Sequence, residues 1–328
     1  MRRALRDLPL LLLPVLCVSA FAARAPTYPC YRPPLAPVMD GQVTGDPAWE
    51  AVPAVTGFSK LGDGYTEAKQ TWARACWDDK AFYVGIVCEE PDIARMKLQV
   101  RDGGDTWLDD GIETFLLPTG SLHATQFAVT AGGARGGFEG APDILRYQAA
   151  AHAGKASYEL EVRIPFDLLG VTPKPGDRWR GSFCRNIWTT QSGGDKFTSW
   201  PPLQTRFLEP EHFATLEFAA APPDAAEVAV IADRLNAAYR ADLTRRLRAL
   251  ASEGREYLPA LEEASSKERF RSRATELRGR WRELDRALAS ADTTPLPELR
   301  RLLTGAQALT QGSYDLKYAY LIATVLGD

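Results

Sequence analysis

Histidine occurs only three times in the 328 residues, as His123, His152 and His212, and no two stand at the spacing that holds a zinc ion on one helix face. Zinc-dependent hydrolysis therefore has no footing. A surplus of basic charge is missing too: 39 Lys and Arg face 42 Asp and Glu, for a net charge of -3. Such a balance offers no electrostatic reason to expect nucleic acid as a partner. Cysteine is scarce, with 5 in all. Beyond Cys17, the four at Cys30, Cys76, Cys88 and Cys184 match no zinc-ligand pattern. They leave two disulfides, in any of three pairings, or buried thiols. After residue 22 no apolar run is long enough to cross a bilayer, so the chain is not expected to span a membrane.

The leading residues are of another kind. Met1-Arg-Arg-Ala-Leu-Arg6 is positively charged, Leu8 to Val18 is a short apolar core, and Ala20-Phe21-Ala22 has the small residues of a cleavage site. Residues 1–22 read as a secretory signal peptide, too short for a stable span, which places the mature chain outside the cytoplasm, secreted or periplasmic. Leu16, directly before Cys17, is bulky where a lipid-attachment site needs a small residue.

Residues 23–37 form an N-terminal linker, and composition changes sharply further on. From about residue 38 to 219 the chain is rich in Trp, Phe, Gly and Pro; from 224 to 328 it is rich in Ala, Leu, Arg and Glu. Ala219-Ala-Ala-Pro-Pro-Asp224 marks the junction. The first region alternates apolar and polar residues in short runs. Thr71–Trp77 and Ala81–Cys88 around the turn Asp78-Asp79-Lys80 predict a hairpin, with further strands at 111–117, 126–130, 157–164, 180–188 and 214–218. Pro165 ends one of these strands in a single helical turn. Such a pattern predicts an all-β sandwich of the immunoglobulin-like or jelly-roll type. The second region repeats apolar residues at spacings of three and four from Val228, from Phe270 and from Leu299, which predicts about three amphipathic helices. They can form a bundle, pack on the sandwich or meet a protein partner. Lys267 to Arg286 carries eight basic and four acidic residues, as a solvated helix face does.

Chemistry concentrates in Asp105-Thr-Trp-Leu-Asp-Asp-Gly-Ile-Glu-Thr-Phe115. Glu113 sits in a strand that is apolar on both faces, and a carboxylate there is costly to bury without hydrogen-bond donors. Trp107, just upstream, offers a flat apolar surface with one polar handle. A ring platform beside an acceptor for hydroxyl groups is the chemistry of a sugar site. Trp49, Trp77 and Trp200 read instead as core aromatics. The carboxylates of Asp102, Asp105, Asp109 and Asp110 leave a structural calcium open, although their spacing is not that of an EF-hand and a solvated loop is the simpler reading. No cofactor is required for binding alone.

An ordered set of fragments makes a resemblance specific. Met39-Asp-Gly…Asp46-Pro-Ala-Trp49, Trp77-Asp-Asp79 with Phe82-Tyr-Val84, Trp107-Leu-Asp-Asp-Gly-Ile-Glu113-Thr-Phe115, Tyr158-Glu-Leu-Glu161…Ile164-Pro165, Pro175-Gly-Asp177, Ser199-Trp200 and Phe213-Ala-Thr-Leu216 follow one another as in family 9 carbohydrate-binding modules, which the chain resembles over residues 38 to 218. The resemblance implies a saccharide held between two aromatics. Trp107 matches the first and Phe207, counting back from Phe213, stands at the second. Glu113 matches the strand glutamate that accepts from hydroxyls, while Arg185 and Gln126 stand near the expected polar contacts. Three features depart from the pattern: Phe207 replaces a Trp, Ala214 a Gly, and the polar donors are of other residue types.

The leading expectation is an exported, non-catalytic carbohydrate-binding protein that assists carbohydrate catabolism. A glycoside hydrolase, or a subunit associated with one, is the second reading. It needs two carboxylates across a cleft, for which Glu113 with Asp109 or Glu161 can be nominated. The third is a structural or interaction module that has lost its sugar.

Overall fold

The computed structural model describes residues 25–62, 64, 69–137, 146–190 and 196–327. The signal peptide expected at residues 1–22 lies outside the described residues. Two sheets face each other, followed by helices. The smaller sheet has the order β3 (Thr71–Trp77), β4 (Ala81–Glu89), β9 (Ser157–Pro165) and β8 (Gln148–Ala153), antiparallel throughout. In the larger sheet β1 (Thr27–Cys30), β12 (Ala214–Phe218), β10 (Arg178–Asn186), β5 (Gly111–Leu117), β6 (Thr125–Thr130) and β7 (Arg135–Gly136) lie in that order. The first half of β10 pairs with β12, and its second half pairs along the same edge with β11 (Phe197–Trp200), which in turn pairs with β2 (Ser59–Lys60).

Alternation decides which side chains meet between the sheets. Ala73, Ala75 and Trp77 on β3, Phe82, Val84 and Ile86 on β4, Leu160 and Val162 on β9, and Ile112 and Leu116 on β5 all enter one core. Trp179 and Trp77 both meet Phe218 edge-on, at centroid distances of 4.6 and 5.2 Å. The predicted hairpin, the helical turn α2 (Phe166–Leu169) after Pro165 and the core positions of Trp49, Trp77 and Trp200 are all present. The residues expected to be a linker are not one: β1 adds a parallel strand to β12, and Tyr28 and Cys30 are fully buried. Nor do the four cysteines form bridges. Cys30, Cys76, Cys88 and Cys184 are free and buried, each packed as a small apolar side chain.

Several motif residues prove to be staples. Asp46 caps α1 (Pro47–Glu50), accepting from Ala48 N–H at 2.7 Å. Trp49 on that helix donates its indole N–H to Glu161 at 2.7 Å, and the same carboxylate accepts from the N–H groups of Asp40 and Gly41 at 3.0 and 2.7 Å. The ring lies so close over Gly85 that a Cβ there would stand 2.8 Å from it.

Five helices follow where about three are predicted: α3 (Ala225–Leu235), α4 (Ala237–Arg255), α5 (Leu258–Ser265), α6 (Glu268–Leu288) and α7 (Leu296–Leu326). The first periodic stripe breaks at Asn236, whose side chain accepts from Thr56 N–H at 2.8 Å and donates to the Ala54 carbonyl at 3.0 Å. Arg300 on α7 pairs with both oxygens of Glu89 at 2.5 and 2.6 Å. The helical region thus has its own core and also docks on the sandwich. No helix among the described residues is long and apolar enough to cross a membrane.

Candidate functional site

A cavity of about 1020 Å³ opens on the outer face of the larger sheet, the face turned away from the core. Strand parity builds its floor. Glu113 and Phe115 on β5 stand opposite Cys184 and Ser182 on β10, while Asn186 stands opposite Phe197 on β11. Glu113, Phe115, Asn186 and Phe197 therefore share one face and line the cavity. Phe115 also joins Cys184, Leu203 and Phe213 in an apolar cluster separate from the core between the sheets.

Glu113 is 3% exposed. One of its oxygens accepts from Gln126 Nε2 at 2.5 Å and the other from Asn186 Nδ2 at 2.8 Å. Burial pushes its carboxyl above the ordinary carboxylate range, against the two amide donors, which pull it down. Each oxygen keeps capacity for a further donor. Asn186 is 1% exposed, and its Oδ1 has no hydrogen-bond partner among the described residues. A buried acceptor left open at a cavity floor can take a donor from a ligand or from water.

Trp107 lines the cavity from a single turn of 3-10 helix, Thr106–Leu108. The two aspartates after it fix that turn. Asp109 accepts from the N–H groups of Gln99 and Val100 at 2.5 and 2.6 Å; Asp110 accepts from Lys97 N–H at 2.7 Å and Trp188 N–H at 2.8 Å. Trp188 returns its indole N–H to the Trp107 carbonyl at 2.8 Å. Asp102 pairs with Arg135 at 2.5 Å. Among the described residues no three His, Cys, Asp or Glu side chains converge as a metal site, and these acidic side chains hold loops together instead.

A loop carries Thr205, Arg206, Phe207 and Leu208 into the lining as well. Phe207 meets Phe197 edge-on, with centroids 5.9 Å apart. Glu209, almost fully buried, organises the loop: it accepts from the N–H groups of Gln204, Thr205 and Arg206 at 2.7, 2.7 and 3.2 Å and from the Thr205 hydroxyl at 2.5 Å. Burial alone would raise its carboxyl; these donors outweigh it and bring the pKa from 4.5 down to about 2.

Of the residues predicted from sequence, Trp107, Glu113 and Phe207 come together in the cavity wall, and Gln126 stands behind Glu113. Arg185 does not join them. It pairs in register with core-facing Ile112, is fully buried between the sheets and donates to the carbonyls of Lys69 and Glu89 at 3.0 and 2.7 Å. Its neighbour Asn186 occupies the cavity instead. Trp179 and Phe183 share the parity of Arg185 on β10, and that alternation was the available signal. Phe115, Phe197, His123 and Arg206 were not predicted either. The carboxylates nominated as companions for hydrolysis lie elsewhere: Asp109 on its loop and Glu161 on the smaller sheet.

A family model described as "Carbohydrate family 9 binding domain-like" matches residues 39–218. No curated protein matches the chain. Among solved structures it is similar to a family 9 module from Caldicellulosiruptor kristjanssonii in complex with cellotriose, at 18% identity over 58% of this chain and 94% of that one, TM-score 0.44. It is also similar to such a module in complex with glucose, from the same organism, at 18% identity over 60% and 98%, TM-score 0.44. A protein from Bacteroides uniformis described in terms of carbohydrate binding matches at 17% identity over 59% of this chain and 99% of its own, TM-score 0.47.

Proposed function

The chain belongs to the carbohydrate family 9 binding domain-like proteins, and from that premise we propose that it is a non-catalytic saccharide-binding protein using the cavity on its larger sheet. One observation carries the reading. The buried carboxylate of Glu113 and the open acceptor of Asn186 lie at the floor of a cavity whose walls present Trp107 and Phe207. Sugars offer C–H faces that stack on aromatics and hydroxyls that need several acceptors at once. Trp107 and Phe207 supply the platforms; Glu113 and Asn186 receive the hydroxyls, with Gln126 holding Glu113 in place. Phe207 gives less stacking area than a Trp and no N–H, so Trp107 carries the larger share. A wrong epimer would leave the Asn186 and Glu113 acceptors unpaired in a buried site, which is how such a site discriminates. The volume admits more than one sugar ring.

In this reading the protein is exported by its N-terminal segment and serves as an accessory in carbohydrate catabolism. Titration of the full chain with soluble glycans tests it. Tryptophan fluorescence should change on binding, and Trp107→Ala should abolish binding while leaving the unfolding temperature nearly unchanged. Unaltered affinity in Trp107→Ala would refute the platform, and a negative screen across a broad glycan array would refute saccharide binding.

A further inference from the structure

Charged side chains around the cavity are distributed unlike those of the chain as a whole, which is net acidic. Among the described lining residues the one carboxylate is Glu113, at the floor and already accepting two hydrogen bonds. The other ionisable side chains among the described lining residues are basic. Arg206 and His123 line the cavity and are exposed. Beyond the lining, Lys97 and Lys196 lie over the ring of Trp188, at 4.7 and 4.5 Å from its centroid, and that indole donates to the carbonyl of Trp107. None of these four side chains has a carboxylate partner among the described residues. Glu209 is close in sequence, but its oxygens face the loop's own N–H groups.

Arg206 is the most defined of the four. Its Nε–H donates to the Leu208 carbonyl at 2.9 Å, which orients the guanidinium and leaves both Nη groups without a partner among the described residues. A planar fork of N–H donors matches a carboxylate in a two-point contact that a hydroxymethyl group cannot make. Basic side chains in and beside the described lining also favour approach of an anion over a neutral molecule.

We propose that the cavity prefers acidic saccharides, with the carboxylate of a uronic acid residue paired to Arg206 while its ring stacks on Trp107. The inference rests on the saccharide reading and adds the class of sugar to it. A uronic acid keeps the C–H faces and ring hydroxyls of its neutral counterpart and differs by one carboxylate at C6. The Trp107 platform and the Glu113 and Asn186 acceptors are thus unaffected, and the discriminating contact falls on Arg206.

Matched pairs isolate that contact. Calorimetric titration of the full chain with methyl glucuronide against methyl glucoside, and methyl galacturonide against methyl galactoside, should show the acid binding about tenfold or more tightly for the epimer that fits. The advantage should shrink as salt is raised and disappear in Arg206→Gln, while Arg206→Lys should keep part of it. Equal affinity of acid and neutral sugar in the natural chain would overturn the preference and leave saccharide binding standing. An advantage that persists undiminished in Arg206→Gln would overturn the assignment to Arg206. Failure of all four sugars to bind, alongside a negative glycan array, would remove the saccharide reading and this inference together.

Discussion

Glu209 offers the most quantitative test of how the second wall of the cavity is held. Its carboxyl is 4% exposed and sits at about 2 rather than 4.5, since three backbone N–H groups and the Thr205 hydroxyl all favour the ionised form. A carboxylate whose folded pKa is depressed adds stability above its unfolded pKa, and that contribution is lost as pH falls through the folded value. A difference of about 2.5 pH units corresponds to roughly 3 kcal/mol, fully present above about pH 4.5 and gone near pH 2. Glu209→Gln keeps one carbonyl acceptor and loses the charge, so it should destabilise by about 2 to 3 kcal/mol at pH 7. Toward pH 2 the two proteins should converge. Urea unfolding followed by tryptophan fluorescence, run on both proteins across that range, reads the difference and cancels the titrating groups that do not touch Glu209. His212, with Nδ1 3.3 Å from its carboxylate, is replaced by Gln in both proteins. The same substitution should weaken saccharide binding, because Phe207 and Arg206 ride on the loop that Glu209 holds. Equal stability at pH 7, or a gap of constant size down to pH 2, would refute the argument.

Arg185→Met should separate a structural arginine from a binding one. It leaves the fully buried Glu90 with one partner fewer and takes a charged donor from the carbonyls of Lys69 and Glu89, at a cost of about 3 kcal/mol or more, while saccharide affinity of the folded protein stays near that of the natural chain. Loss of affinity without loss of stability would contradict its place between the sheets. Glu113 titrates in the opposite sense to Glu209. Its folded pKa is raised by burial, so its contribution to stability is fully present below the unfolded value and is lost as pH rises through the folded one. Its value as an acceptor runs the other way, and saccharide affinity should fall as pH drops, with a midpoint above 4.5 that Glu113→Gln abolishes. A midpoint at or below 4.5 would show the carboxylate to be better solvated than its burial implies.

Local sequence carried more of this molecule than isolated propensity would. Alternation over Thr71–Trp77 and Ala81–Glu89, the stop at Pro165 and the 3.6-residue periodicity after Asp224 are written in contiguous residues, because pleat and helix each repeat within a single segment. What failed was held by partners distant in the chain. β8 reads Gln-Ala-Ala-Ala-His-Ala and has little strand character of its own; it is a strand because β9 offers a paired edge. β1 reads as linker in isolation because four residues show no pattern until β12 lies beside them. The cysteines could not be resolved from spacing, since whether two sulfurs meet is a matter of tertiary distance.

The site divides along the same line. Trp107 and Glu113 were legible because a carboxylate in an apolar strand and a lone aromatic in an acidic loop are locally anomalous. Arg185 and Asn186 are adjacent in sequence and stand on opposite faces of β10, so a single step of parity exchanged a core strut for a site residue. Sequence by itself determined seven of the strands, the helical character after Asp224, the family, and the place of Trp107 and Glu113 in the candidate site. Tertiary structure alone decided that Phe115, Phe197 and Arg206 meet around one cavity, since they come from two strands and a loop whose approach depends on register between segments roughly eighty residues apart.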